Sequence, residues 1–157
     1  MFSEIPLDQL GRLVNRRSKY GIGFHQDVLV GVGGGRVWYL DSAGTLASNF
    51  RALISEKTVS PIDVSSPLWS LTPFVDFPGT YGTTEYRFEW EREWRVSGGL
   101  KFRADQVAFL FIPEDYHVDA TRFFSEAKED NIGTSYECPM LDPLWPDERI
   151  QTALARL

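Results

Sequence analysis

Residues 86–96 read Tyr86-Arg87-Phe88-Glu89-Trp90-Glu91-Arg92-Glu93-Trp94-Arg95-Val96, an alternation of aromatic and charged side chains. Because successive side chains of a strand point to opposite faces, this period of two predicts a single strand over residues 85–96. One predicted face is apolar except for Arg92, and the other is wholly charged. A guanidinium on the apolar face needs a buried partner. The candidate partners are Asp105, Glu114 and Glu148.

The charged face carries Glu89, Glu91 and Glu93, with neighbouring carboxylates about 6.5–7 Å apart at strand spacing. Such a row can hold a cationic or sugar-containing ligand: one carboxylate accepts hydrogen bonds from a ribose, and another supports a positively charged transition state. Alternatively, it is the solvated face of an antiparallel sheet, with its charges paired across strands. Spacing alone favours the solvated face, and burial of the glutamates distinguishes the two interpretations.

Apolar periodicity along the rest of the chain predicts a mixture of helices and strands. Helices are predicted over residues 6–17, from Asp41 or Ser42 through Ile54, over 119–130 and over 146–157. Further strands are predicted over residues 20–24, 36–40 and 107–112, while residues 28–32 fit either a strand or a helix end. Glycines at 31–35 lead into a strand, which favours a hairpin turn over a dinucleotide-binding loop. We therefore expect an α+β fold with a twisted, mainly antiparallel sheet and flanking helices.

Composition limits the class of protein and of ligand. With 157 residues, 43% of them hydrophobic, the chain is expected to form one globular domain over residues 1–157. A net charge of -6 makes nucleic acid an improbable main ligand. Cys138 is the single cysteine, and the two histidines, His25 and His117, lie far apart in the sequence, so we expect no metal site. Neither a membrane span nor a signal peptide is visible, which predicts a cytoplasmic protein.

Three blocks occur in a fixed order along the chain. They are Phe2-Ser3-Glu4-Ile5-Pro6-Leu7, then Tyr20-Gly21-Ile22-Gly23-Phe24 with Arg36-Val37-Trp38-Tyr39-Leu40, then Leu71-Thr72-Pro73-Phe74-Val75 with Glu91-Arg92-Glu93-Trp94-Arg95. In this order they resemble the AbiGi family of abortive-infection proteins from bacterial anti-phage systems. The resemblance implies an antitoxin-like protein that binds a protein partner. That partner would be a cognate toxin resembling a nucleotidyltransferase, or another defence component.

More distantly, the layout resembles that of mono-ADP-ribosyltransferase-like proteins, which bind NAD in a cleft between two small sheets. That resemblance implies an alternative function as an NAD-dependent enzyme, with Glu93 or Glu91 as the catalytic carboxylate. It also implies a set of ligand-binding residues. These are Tyr20, Gly21, Gly23, His25, Arg92 and Arg95.

One feature departs from that second resemblance. Relatives of this kind carry a histidine-containing first strand before the block that begins here at Phe2. We therefore expect an ADP-ribosyltransferase-like core that lacks its first strand. A missing strand leaves an open sheet edge, which favours pairing with a partner or with a second copy as a homo-oligomer.

Overall fold

The computed structural model describes residues 1–59 and 61–156. It combines helices with short strands in small, mainly antiparallel sheets, which confirms the predicted α+β class. The helices are α1 (Leu10–Arg16), α2 (Gln26–Val30), α3 (Thr45–Lys57), α4 (Leu68–Leu71), α5 (His117–Glu129) and α6 (Asp147–Leu154). The strands are β1 (Phe2–Ser3), β2 (Gly21–Phe24), β3 (Gly35–Arg36), β4 (Trp38–Tyr39), β5 (Val75–Asp76), β6 (Gly79–Tyr81), β7 (Thr84–Tyr86), β8 (Glu93–Arg95), β9 (Val107–Phe111) and β10 (Met140–Leu141).

The described chain divides into two compact units. Unit 1 comprises residues 1–4 and 33–98, and unit 2 comprises residues 5–32 and 99–156. Two compact units can still unfold as one cooperative body. The single domain over residues 1–157 therefore stays a prediction.

Unit 1 is built on a three-stranded antiparallel sheet in the order β1-β8-β3. Strand β8 is central, with Trp94 opposite Phe2 on one side and opposite Arg36 on the other. Two smaller sheets complete the unit, a parallel pair of β4 with β5 and an antiparallel hairpin of β6 with β7. Residues 86–96 thus supply the central strand of unit 1.

That segment is not one strand, so the prediction of a continuous strand over residues 85–96 is wrong. Strand β7 ends at Tyr86, a 3₁₀ turn covers Glu89–Glu91, and β8 begins only at Glu93. Between them Arg92 adopts the left-handed conformation, with φ of 43°. A left-handed residue interrupts the alternation of faces. Glu91 and Glu93 are buried, at 2% and 5% exposure, which excludes the interpretation of these two glutamates as a solvated face.

Unit 2 contains a three-stranded sheet in the order β10-β9-β2, with β9 antiparallel to β2 and parallel to β10. Two apolar clusters form its core. In one, Leu10 and Val14 of α1 pack with Leu141 and Ile150. In the other, Val107, Leu110 and Ile112 pack with partly buried residues that include Phe124 of α5. The helical spacing of the apolar residues in α1 explains why that helix presents one face to the core.

Two other expectations need correction. Residues 26–30 form helix α2, so the glycines at 31–35 do not connect a hairpin. In place of one twisted sheet, the described residues form four small sheets, because most strands are only two or three residues long. The predicted end of the last helix, Leu157, lies outside the described residues. None of the helices in the described ranges has the length and apolar character that crossing a membrane requires.

Candidate functional site

The buried carboxylate Glu93 belongs to an ionic cluster in unit 1 that is centred on Arg95. Arg95 Nε donates to Glu93 Oε1 at 2.6 Å, and its Nη2 donates to Glu93 Oε2 at 3.1 Å. The same Nη2 donates to Asp76 Oδ2 at 2.7 Å, and Nη1 donates to the Pro73 carbonyl at 2.9 Å. The Tyr86 hydroxyl donates to Asp76 Oδ2 at 2.8 Å. We call Glu93, Arg95, Asp76 and Tyr86 the Arg95 cluster.

Three of the small sheets of unit 1 contribute to the Arg95 cluster. Glu93 and Arg95 are two residues apart on β8 and therefore share a face. Asp76 is the last residue of β5, and Tyr86 is the last residue of β7. The cluster thus connects side chains from strands that do not pair with one another.

The pKa values of Asp76, Tyr86 and Arg95 are shifted, so that none of these three groups changes its protonation state near neutral pH. Burial alone would raise the pKa of Asp76, but hydrogen bonds from Tyr86 and Arg95 prevail and lower it. Burial and the hydrogen bond to Asp76 raise the pKa of Tyr86 to about 12. The hydrogen bond with Glu93 raises the pKa of Arg95. The cluster therefore keeps a cationic guanidinium beside a charged Asp76 and a neutral phenol across the physiological range.

Tyr39 of β4 adds a second phenol beside the cluster. Its hydroxyl oxygen is buried and makes no hydrogen bond of good geometry. Burial raises the pKa of Tyr39 to about 12, against the opposing effect of the Glu93 backbone. The carboxylates of Glu93 and Asp76 raise this pKa further. This phenol is therefore neutral at physiological pH.

The geometry of Glu93 determines what the cluster can do chemically. Both carboxylate oxygens accept hydrogen bonds from Arg95, an arrangement that orients and neutralises the carboxylate. The Glu93 side chain is only 6% exposed, which leaves a ribose hydroxyl little access to the carboxylate. Arg95 also pairs with Asp76 and so links β8 to β5, which suits a cross-link between strands better than a ligand site.

Glu91 and Arg92 belong to a neighbouring set of contacts in unit 1. The Ser3 hydroxyl donates to Glu91 Oε2 at 3.5 Å. Glu4 accepts from Trp94 Nε1 at 2.9 Å and pairs with Arg36 at 2.8 Å. These contacts hold the N-terminal segment against β8.

Contrary to the prediction, Arg92 does not lie in the apolar core. Its side chain is 58% exposed, and its nearest carboxylate is Glu4 at 3.9 Å. Of the predicted partners, Asp105 pairs with Arg103 and Glu114 pairs with Arg149. The left-handed backbone at Arg92 explains this error, because it breaks the alternation that had placed the side chain on the apolar face.

Tyr20, Gly21, Gly23 and His25 lie in unit 2, whereas Glu91, Arg92, Glu93 and Arg95 lie in unit 1. The glycines of β2 do permit a close approach, but phenylalanine rings fill the space. A Cβ on Gly23 would collide with the Phe109 ring, and one on Gly21 would contact Phe111. Tyr20 is exposed, and His25 lines an open cavity of about 540 Å³.

Sequence reasoning missed three residues that organise the site: Glu4, Asp76 and Tyr86. Asp76 carried a usable signal, since it stands alone among apolar residues in Phe74-Val75-Asp76-Phe77. A lone carboxylate in an apolar segment needs a cationic or donating partner. Glu4 carried no comparable signal, because its partners lie 32 and 90 positions away. Among the residues that the structure describes, no group of three or more histidine, cysteine or acidic side chains could hold a metal ion.

Comparison with known protein families gives one match. The model of a family described as "Putative abortive phage resistance protein AbiGi, antitoxin" matches residues 1–131, which is most of the chain. The matched range includes all of unit 1 and the first part of unit 2. No curated protein and no solved structure matched in the corresponding comparisons.

Proposed function

The chain belongs to the AbiGi family of abortive phage resistance antitoxins, and we propose that it neutralises a protein toxin by binding it. The toxin would be the partner of this chain in a bacterial abortive-infection system. The proposal assigns no chemical step to the chain and no cofactor. It takes the interaction to occur in the cytoplasm, the compartment predicted from the sequence.

The observation that carries the proposal is the closed geometry of the Arg95 cluster. Glu93, the residue expected to be catalytic in an enzyme, is 6% exposed at the side chain and pairs with Arg95 through both oxygens. The same guanidinium engages Asp76 and the Pro73 carbonyl. The Glu91–Arg95 block therefore supports a stabilising role in unit 1, and the family description supplies the antitoxin role.

The alternative, an NAD-dependent enzyme using Glu93 and Glu91, makes an opposite prediction about NAD. A ligand that binds only the folded state raises the melting temperature by mass action. Without an NAD site, millimolar NAD leaves the melting temperature unchanged. A saturable shift, lost in Glu93→Gln, would favour the enzyme.

The proposal is tested by coexpression with the product of the adjoining gene. If that product is the toxin, its expression alone stops growth, coexpression of this chain restores growth, and the two proteins copurify. A chain that remains monodisperse, captures no partner and turns over NAD would contradict the proposal.

A further inference from the structure

An apolar groove lies on unit 2 between the second half of α5 and the residues that follow this helix. It has a volume of about 210 Å³. Its walls include the rings of Phe123, Phe124 and Tyr136 together with Ala127 and Ile132. We call this feature the α5 groove.

The groove is held in shape by ring contacts and by the way α5 ends. The Phe124 ring makes edge-to-face contacts with Phe123 and Tyr136, at centroid distances of 5.7 and 5.1 Å. The amides of Ile132 and Gly133 both donate to the Ala127 carbonyl at 3.0 Å, which turns the chain back beside the helix. A preformed groove reduces the ordering cost that a ligand must overcome.

Two large apolar side chains of the groove are turned towards solvent. Phe123 is 62% exposed and Ile132 is 79% exposed. Contiguous exposed apolar surface of this kind commonly marks an interaction site, and aromatic side chains in pockets often carry much of the binding energy. The groove is therefore a candidate contact surface for a protein partner.

The charges beside the groove indicate the chemistry of that partner. Asp119 and Glu126 of α5, and Asp130 at its C-terminal cap, recur at helical spacing with Phe123 and lie on the same side of the helix. The nearby Arg122 pairs with Asp119 at 2.9 Å and approaches Glu126 at 4.0 Å. Beside Phe123, three acidic side chains therefore stand against one basic side chain, Arg122, so this rim of the groove is net acidic.

We propose that the α5 groove binds a basic amphipathic segment of the toxin, with an apolar anchor seated between Phe123 and Ile132. This inference rests on the proposed antitoxin function. Basic side chains flanking the anchor would face Glu126 and Asp130. Charge also separates this occupant from a second copy of the chain, since self-association would bring two acidic rims together in a protein of net charge -6.

The test uses a fluorescent Leu/Lys peptide of about four helical turns and a matched peptide with Glu in place of Lys. Fluorescence anisotropy should show binding of the Lys peptide that weakens with salt, and little binding of the Glu peptide. Phe123→Ala should weaken binding of the Lys peptide at least about tenfold. Val118→Ala should leave its affinity unchanged, because Val118 is 81% exposed on α5 and is not a lining residue of the groove.

Amide shifts in the NMR spectrum of the labelled chain should locate the Lys peptide at residues 123–136. Equal binding of both peptides, unchanged affinity in Phe123→Ala, or shifts confined to other residues would overturn the inference. A dimer of the wild-type chain that Phe123→Ala dissociates would assign the groove to a second copy instead. If the peptide binds but the adjoining gene product is not captured, the groove stands and the antitoxin function fails. If Phe123→Ala captures that product as efficiently as the wild type does, the antitoxin function stands and the proposed role of the groove fails.

Discussion

At the scale of single residues, the Arg95 guanidinium compensates the charge of the buried Glu93 carboxylate and of the half-buried Asp76 carboxylate in unit 1. Glu93 is 6% and Asp76 is 19% exposed at the side chain, and both contact Arg95. Removing one partner of a buried ion pair leaves an uncompensated charge, which costs more than the pair itself contributes. Arg95 is therefore expected to be the most sensitive charged position of unit 1.

Arg95→Met should lower the free energy of unfolding by about 3 kcal/mol, because it leaves the Glu93 and Asp76 carboxylates without their cation. Arg87→Met is the matched control. Arg87 pairs with Glu85 on the surface, where both side chains are more than half exposed, and its loss should change stability by less than about 0.5 kcal/mol. Urea unfolding measures both values. Equal, small effects would show that the Arg95 cluster does not stabilise unit 1.

Arg92→Gly should be neutral or should stabilise the chain by up to about 1 kcal/mol, because a non-glycine residue is strained at φ of 43°. The weak contact with Glu4 at 3.9 Å offers little to lose. Arg92→Val should instead destabilise, since a β-branched side chain is poorly tolerated in this conformation. Chemical denaturation of the two variants compares them directly, and a strongly destabilising glycine would show that the Arg92 side chain itself is needed.

The pKa shifts predict how stability depends on pH. The lowered pKa of Asp76 contributes stability that is present above about pH 4 and is lost as the pH falls through its folded value. The pKa of Tyr86 is raised to about 12, so it affects the pH dependence of stability in the opposite direction. Its contribution is present below about pH 10 and is lost as the pH rises towards 12.

Tyr86→Phe isolates the alkaline effect. This variant should be less stable than the wild type at neutral pH, because it loses the hydrogen bond to Asp76. The difference between the two proteins should shrink between pH 10 and 12. Thermal unfolding across this range measures the difference, and a constant gap would contradict the assigned pKa of Tyr86.

At the scale of secondary-structure elements, helices were more predictable than strands. The helix predicted over residues 119–130 appears as α5, because its apolar spacing and its packing face agree. The prediction of a strand over residues 85–96 was wrong because alternation of side chains indicates only a local preference. Distant positions also contact the turn at Glu89–Glu91 and the reversal at Arg92: the Ser3 hydroxyl donates to Glu91, and the Glu4 amide donates to the Arg92 carbonyl at 3.3 Å.

Strand β2 shows the same limit for the predicted ligand cleft. Gly21 and Gly23 were expected to border a ligand, but the rings of Phe109 and Phe111 of β9 lie against them instead. Sequence alone identifies the need for space and not the group that fills it.

Gly23→Ala should therefore destabilise the chain by about 1–3 kcal/mol, because the new methyl group collides with the Phe109 ring. Gly11→Ala in α1 is the control, since nothing lies within 4 Å of its Cβ position. That control should be neutral or stabilising by up to about 1 kcal/mol. Differential scanning fluorimetry ranks the variants, and a Gly23→Ala protein as stable as the wild type would contradict the packing of β2.

At the scale of the whole molecule, the residues beyond the family match complete the core of unit 2. The family match ends at residue 131, but the two largest fully buried side chains are Leu141 and Ile150. Ile150 lies on α6 and packs with Leu10 and Val14 of α1. This dependence was partly predictable, since Pro146 followed by the acidic residues Asp147 and Glu148 indicates the start of a helix.

Deleting residues 132–157 should abolish the cooperative unfolding of unit 2, because it removes β10 and α6 from the core. The readout is the dispersion of amide signals from residues 5–32 and 99–131. A truncated chain that keeps dispersed signals there would show that the family segment folds without its C-terminal neighbours. Ile150→Ala is a milder change and should lower the free energy of unfolding by about 2–5 kcal/mol.

The measurement that tests the central claim most directly is a titration of the toxin with this chain. A binding antitoxin inhibits in proportion to its amount, so toxin activity should fall linearly and reach its minimum near one antitoxin per binding site, with or without NAD. A catalyst turns over, so a small fraction of that amount would suffice when its cofactor is present. Stoichiometric, NAD-independent inhibition is the predicted result. Complete inhibition at far below molar equivalence, and only with NAD, would contradict the account.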